Sequence, residues 1–223
     1  MKIYDISMEI REDMPIYKNK EEKKPKIVIK RTIEQGANES RIEIESHTGT
    51  HADSFFHMIE NGETIDQIGL EKFAGECLVL DFSNKKDKIT IEDFHEKFYN
   101  DKKSNSKIKS NKEMIIKKND VILLKTRKTS MKSFDFNFTF LDKSGAEFLA
   151  KKKIKCVGID NLGIERGQPG HETHKALFGK GIPIVEGLEL SNIKQGRYFF
   201  IGLPLKIKNG DGSPIRAALI DKK

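Results

Sequence analysis

The stretch His47-Thr48-Gly49-Thr50-His51-Ala52-Asp53-Ser54-Phe55-Phe56-His57 gathers three of the chain's six histidines and an aspartate within eleven residues. Residues 41–46, just before it, alternate polar and apolar, with Ile42 and Ile44 on one face of a predicted strand. If that strand ran straight on, His47, Gly49, His51 and Asp53 would share a face. His47 and His51 would then stand about 13 Å apart, at roughly 3.3 Å per residue. Two imidazoles that share one zinc must each come within about 2 Å of it. The chain must therefore bend between them. Gly49 supplies a permissive backbone, and the hydroxyls of Thr48 and Thr50 are suited to bonding nearby backbone and holding the bend. A lone histidine on a strand is ordinarily a hydrogen-bonded core or surface residue. Three of them with Asp53 at this spacing predict a divalent-metal site. Asp53 adds a hard oxygen and can bridge two ions, which neutral imidazole cannot. His57 is either a further ligand or an acid/base beside the metal, since an imidazole titrating near pH 6.5 suits proton transfer.

Outward from this stretch the pattern is that of an α/β chain richer in strand than in helix. Runs of Ile, Val, Leu and Phe predict strands at 2–6, 26–32, 41–46, 77–82, 121–126, 155–160, 182–185 and 197–201. Thr90-Ile91-Glu92-Asp93 resembles a capping box, with Ile91, Phe94 and Phe98 following at helical spacing. A second helix is expected from Asp142 toward Lys153, with a basic end that suits its dipole. A third is expected over 171–178, stopped by Gly179 and Gly181. Residues 100–118 are polar and lysine-rich and predict an exposed loop or frayed helix end. No repeat divides the 223 residues, a length suited to one domain over 1–223.

Composition narrows the function classes. The net charge is +7, but 34 acidic residues are mixed among 41 basic ones. The lysine-rich stretches 18–30 and 102–118 lack the interleaved aromatics of a single-strand binding surface. The expectation is a solvated lysine-rich surface and no nucleic-acid partner. No apolar run approaches the roughly 18 residues of a membrane span, and the first ten residues read as a strand rather than a signal peptide. Cys77 and Cys156 lie in apolar strand-like runs without CxxC spacing, so two reduced core thiols in a cytoplasmic protein are expected. Of the other histidines, His95 sits beside Glu92 and Glu96 on the first helix and reads as a surface residue. His171 and His174 form a separate pair.

The 47–57 stretch resembles the His-x-Gly-Thr-His-x-Asp-x-Pro-x-His signature of the cyclase-like metal-dependent hydrolases. That family includes the bacterial kynurenine formamidases (arylformamidases) and isatin hydrolase. Tyr4-Asp5-Ile6-Ser7, Met14-Pro15-Ile16-Tyr17, the 120–126 strand, Val157-Gly158-Ile159-Asp160, Leu203-Pro204-Leu205 and the block from Gly210 to Ala217 resemble its other segments. The resemblance implies a swivelling β/β/α fold, a barrel-like mixed sheet with flanking helices, and a homodimer. It implies His47, His51 and Asp53 as ligands of one metal, and Asp53, His174 and Glu186 as ligands of a second. Glu186 lies twelve residues after His174, the family's spacing, and His171 falls three residues too early. It implies His57 as proton donor and acceptor, and one or two Zn²⁺ ions, with Mn²⁺ the alternative. The reaction implied is hydrolysis of an amide-type C–N bond in a small molecule, with N-formylkynurenine a candidate. Lactam or lactone hydrolysis, cyclisation or dehydration, and a non-catalytic metal-binding role are the alternatives. Tyr17, where the formamidases carry a stacking Trp, and Phe55, where the motif usually has Pro, are the candidate substrate contacts. Arg127 stands where the family often has Gly.

Overall fold

The computed structural model describes residues 1–99 and 114–221. Most of the predicted 100–118 loop lies outside these residues. Among the described residues, thirteen strands and three α-helices, with short 3-10 turns between them, make up the regular structure: β1 (Lys2–Asp5), β2 (Lys26–Arg31), β3 (Glu39–Glu43), β4 (His51–Asp53), β5 (Ala74–Asp81), β6 (Lys88–Ile89), α1 (Ile91–Tyr99), β7 (Val121–Lys125), β8 (Phe140–Leu141), α2 (Lys143–Lys151), β9 (Cys156–Ile159), α3 (Glu172–Phe178), β10 (Ile184–Glu186), β11 (Gly196–Ile201), β12 (Gly212–Pro214) and β13 (Ala218–Asp221).

Nine strands form one curled, half-barrel mixed sheet in the order β1-β13-β11-β5-β7-β9-β10-β4-β12. Its centre, β5-β7-β9-β10, is parallel. Parallel strands are covered on both faces, so they read as continuous apolar runs rather than alternating ones. Cys77-Leu78-Val79-Leu80 and Val121-Ile122-Leu123-Leu124 are such runs, and all eight residues are fully buried. The helices follow from their sequence signals. Asp93 accepts a hydrogen bond from the Thr90 N–H (2.8 Å) at the start of α1. Asp142 caps α2 by accepting from the Gly145 N–H. α2 buries Ala146, Phe148 and Leu149, and Phe148 stacks on Phe94 of α1. Among the described residues, no helix is long and apolar enough to cross a membrane.

Three expectations need correction. A strand is expected over 41–46, whereas β3 spans Glu39–Glu43, is exposed throughout and, among the described residues, pairs only with β2 as a separate two-stranded ribbon. β4, β6, β8, β12 and β13 were not expected. β4 and β12 are three residues long and carry polar buried side chains, so neither shows a hydrophobic period. The hydroxyl of Thr50 bonds distant rather than nearby backbone. It donates to the Gly187 carbonyl and accepts from the Met8 N–H (2.7 Å).

Candidate metal centre

The sheet register assembles the centre. β4 lies between β10 and β12, both antiparallel to it. Pairing sets Glu186 opposite His51 and Gly212 opposite Asp53, which brings the neighbouring Asp211 to His47. Before β4 the chain bends at Gly49, whose φ is +60°. The bend lies so close to Gly187 that a Cβ there would sit 2.1 Å from the Gly49 carbonyl oxygen. The bend does what the spacing argument requires: the His47 and His51 rings stand with centroids 5.0 Å apart.

Asp53 is fully buried, and its two oxygens face different groups. Oδ1 lies 2.8 Å from His47 Nδ1 and 3.3 Å from His51 Nε2. Oδ2 lies 3.7 Å from His174 Nε2. The carboxyl of Glu186 lies 3.6 Å from His51 Nε2 and 3.8 Å from His174 Nε2. His47, His51 and Asp53 offer one set of converging ligand atoms, and Asp53, His174 and Glu186 offer another. His174 reaches the centre from the buried face of α3, one turn before Phe178. His51 can donate its Nδ1–H to the Gly49 carbonyl (2.9 Å), which leaves Nε2 as a lone-pair ligand atom.

Asp53 Oδ2 is buried and accepts no hydrogen bond from any described residue. Buried carboxylate oxygens are rarely left without a partner. Its surroundings are imidazoles and a second carboxylate, the N/O donor set of divalent zinc or manganese. The residues present therefore fit a divalent cation.

Electrostatics separate the histidines. Burial opposes charge on His47 and His174, but the carboxylates beside them win. His47, held by Asp53 and Asp211, is pushed up to about 9. His174, held by Asp53 and Glu165, is pushed up to about 10. Burial raises Glu186, with the charge of Asp53 adding to it. Asp53 falls well below the usual carboxylate range because the pull of the three surrounding histidines, His174, His47 and His51, outweighs its burial. His57 goes the other way. Burial, reinforced by the charges of His47 and His174, lowers it to about 4 against the weaker pull of Asp53. Its ring stands 4.1 Å from that of His47 and 6.0 Å from that of His174.

His47, His51, His57, His174, Glu165 and Glu186 line a cavity of about 240 Å³ whose wall also includes Tyr17, Lys23, Met58, Leu162 and His171. Tyr17 meets Phe134 edge-on at 5.0 Å. Phe55 does not reach this wall. It packs into the core against Phe178 at 5.5 Å, because the turn at 55–57 directs Phe55 inward and His57 toward the cavity. Arg127 also lies elsewhere, donating to the carbonyls of Asp160 (2.7 Å) and Leu188 (3.3 Å).

Two residues at the centre have no signal in the 47–57 motif. Asp211 accepts from or pairs with His47 Nε2 at 3.1 Å. Its only trace in the sequence is the Gly210-Asp211-Gly212 turn. Glu165 is buried beneath α3. One of its oxygens lies 3.0 Å from His174 Nδ1 and 2.6 Å from His171 Nδ1, and the other accepts from the Thr173 N–H. His171 is exposed at the edge of the cavity and meets the centre through Glu165 and, edge-on, through the His174 ring at 6.3 Å.

The Cyclase family model matches residues 4–166, close to three quarters of the chain. The chain belongs to the cyclase family. The match takes in the 47–57 stretch and Glu165, while His174 and Glu186 lie beyond it. Among curated proteins, this cyclase-family chain is 31% identical to cyclase-like protein 3 of Oryza sativa subsp. japonica, over 98% of its own length and 80% of the relative's. It is 28% identical to a kynurenine formamidase of Erythrobacter litoralis, over 98% and 93% of the two lengths. Among solved structures it resembles a potential metal-dependent hydrolase with cyclase activity, at 40% identity and a TM-score of 0.83, covering 100% and 98% of the two chains. Isatin hydrolase A from Labrenzia aggregata shares the fold at 23% identity, with a TM-score of 0.82 and coverage of 100% and 94%.

Proposed function

We propose that this cyclase-family protein is a divalent-metal-dependent hydrolase of amide-type C–N bonds, arylformamidase-like, with N-formylkynurenine a candidate substrate. The observation that carries the reading is the arrangement of Asp53, whose buried carboxylate is shared between two ligand sets while a neutral imidazole, His57, stands beside it. His47, His51 and Asp53 would hold one ion, and Asp53, His174 and Glu186 a second, with Zn²⁺ or Mn²⁺ suited to the donors. A bound ion of this kind lowers the pKa of water from 15.7 toward about 7 and polarises a carbonyl oxygen.

The chain's own residues supply the rest. His57, neutral at physiological pH, is free to accept a proton from the attacking water and pass it to the departing nitrogen. Glu165 and the Gly49 carbonyl fix the rings of His174 and His51 through their Nδ1 atoms, so that both present Nε2. Tyr17, Met58 and Leu162 offer an apolar wall to an aromatic amide, with the Tyr17 ring the candidate stacking surface. The likeness to a kynurenine formamidase along nearly the whole chain supports the formamide reading. The fold shared with isatin hydrolase keeps cyclic amides as the second reading. The two buried free cysteines support a reducing, cytoplasmic setting.

A panel of aryl formamides, lactams and esters, assayed with Zn²⁺- and Mn²⁺-loaded protein, tests the proposal. Turnover of an aryl formamide above the other classes is expected. Preference for a lactam moves the chain to the second reading. A metal-loaded protein inert to the whole panel contradicts both and favours a non-catalytic metal-binding role.

A further inference from the structure

The C-terminal ends of α2 and α3 border a groove of about 930 Å³. α2 delivers Ala150 and Lys151 to it, and the chain just beyond α2 delivers Lys153 and Ile154. α3 delivers Lys175 and Ala176, and the chain just beyond α3 delivers Lys180 and Ile182. Lys72 reaches it from the turn before β5. No residue lines both this groove and the cavity at the metal centre, although α3 serves the two, with His174 on its buried face.

Five lysines thus converge on one concavity whose lining holds a single acid, Glu147. None of the five forms an ion pair among the described residues, and Lys72 donates only to a neutral group, the Gly181 carbonyl (2.8 Å). Elsewhere lysines find carboxylates, as Lys24 does with Glu21, Lys85 with Asp93 and Lys143 with Glu172. A lysine in the last turn of a helix is ordinarily explained by the helix dipole. Two helix C-termini supply only about −0.5 elementary charge each, so with Glu147 they leave an uncompensated charge of about +3 in the groove. Lys153 adds a backbone observation. Its φ is +56°, the left-handed conformation just past a helix end, where glycine or asparagine is usual. A lysine stands there against its own backbone preference.

Uncompensated positive charge in a concavity of ligand size calls for an anion that carries several charges. The ammonium of lysine is a compact point charge that binds phosphate, whereas the arginine fork that suits carboxylates is absent from the lining. The lining has no aromatic side chain either, so it lacks the stacking platform of a single-stranded nucleic-acid channel. We propose that this groove binds an oligophosphate, free or carried on a nucleoside, with the phosphates among the five lysines and Ala150 and Ala176 as the floor for an attached ring. The inference does not rest on the hydrolase reading, and its test does not use activity.

Calorimetric titration of the metal-loaded, full-length protein with pyrophosphate, ADP and ATP, at about 0.15 M salt, reads the site. A Kd of ~10–100 µM is expected for the best of them. ADP binding more tightly than pyrophosphate assigns the floor to a nucleoside, and equal affinities assign the groove to the free oligophosphate. Lys153→Gly suits the left-handed backbone and removes one charge-assisted bond, so it should weaken binding by ~10-fold. Lys175→Glu/Lys180→Glu should weaken it by ~100-fold or more. Lys30→Glu/Lys208→Glu makes the same change of net charge outside the groove and should shift the Kd by less than ~3-fold. Circular dichroism melts check that the variants stay folded, and Lys153→Gly carries the test alone if the double variant does not. No binding of any of the three ligands at concentrations up to ~1 mM, or an equal loss in the Lys30→Glu/Lys208→Glu control, overturns the proposal. So does binding that the groove variants keep and His51→Ala loses, which would put the phosphates on the metal centre.

Discussion

His57 is set apart from the other cavity histidines because burial outweighs the carboxylates near it, Asp53 and Asp211, and lowers it to about 4. If it moves the proton, His57→Ala should lower kcat by ~10²–10⁴-fold and leave metal content unchanged. Steady-state kinetics together with elemental analysis separates this from a ligand role, in which the variant would lose metal. Glu165 makes a different kind of contribution. It touches no ligand atom that faces Asp53 but fixes His174 from behind at 3.0 Å. Glu165→Gln should weaken metal binding by ~10–100-fold, read by calorimetric titration of the metal-free protein. Unchanged affinity would mean that α3 alone places His174. The Asp53 ligand set was legible in the sequence because it is local, three side chains with a glycine between them. Asp211 and Glu165 were not, since Asp211 reaches His47 only through the long-range pairing of β12 with β4, and Glu165 reaches His174 across a turn that no motif marks.

Among the elements, the bend before β4 and the turn after β10 depend on each other. Gly187 (φ +67°) would place a Cβ against the Gly49 carbonyl oxygen, and the Gly187 carbonyl accepts from Thr50. Gly187→Ala should therefore cost at least ~1–3 kcal/mol through its left-handed backbone alone. It should also displace His51 and Glu186 together. A thermal melt with and without metal checks this, and a variant with wild-type Tm and metal-induced shift would show that the two turns are independent. The long parallel strands were readable from their apolar runs, and the helices from their caps. β4 and β12 were not, because residues buried for chemistry rather than for packing leave no hydrophobic period. Ile42 of β3 and Ile44 just beyond it alternate as a strand should, yet both are exposed: alternation marks a two-faced strand, but it does not say what covers the apolar face.

For the molecule as a whole, the buried thiols tie stability to alkaline pH. Burial raises Cys156 to about 12 and Cys77 well above its ordinary value. An unfolded thiol ionises near pH 9 while the folded one stays protonated. Each therefore contributes stability that is complete below about pH 9 and is lost as the pH climbs toward the folded value; for Cys156 the loss is about 2 kcal/mol by pH 10.5. Cys156→Ala should flatten the fall in denaturant-measured stability between pH 8 and 10.5, and an unchanged slope would assign the fall to other groups. The central claim is that residues 47–57, completed by His174 and Glu186, form a divalent-metal centre that hydrolyses an amide-type bond. It is tested most directly by elemental analysis of protein purified without a metal-affinity step, coupled to a formamide assay of the same sample and of its His51→Ala variant. The expected result is one or two Zn²⁺ or Mn²⁺ per chain with turnover, and both metal and turnover lost in the variant. A His51→Ala protein that keeps full activity, or wild-type protein that turns over the formamide with no metal bound, would contradict it.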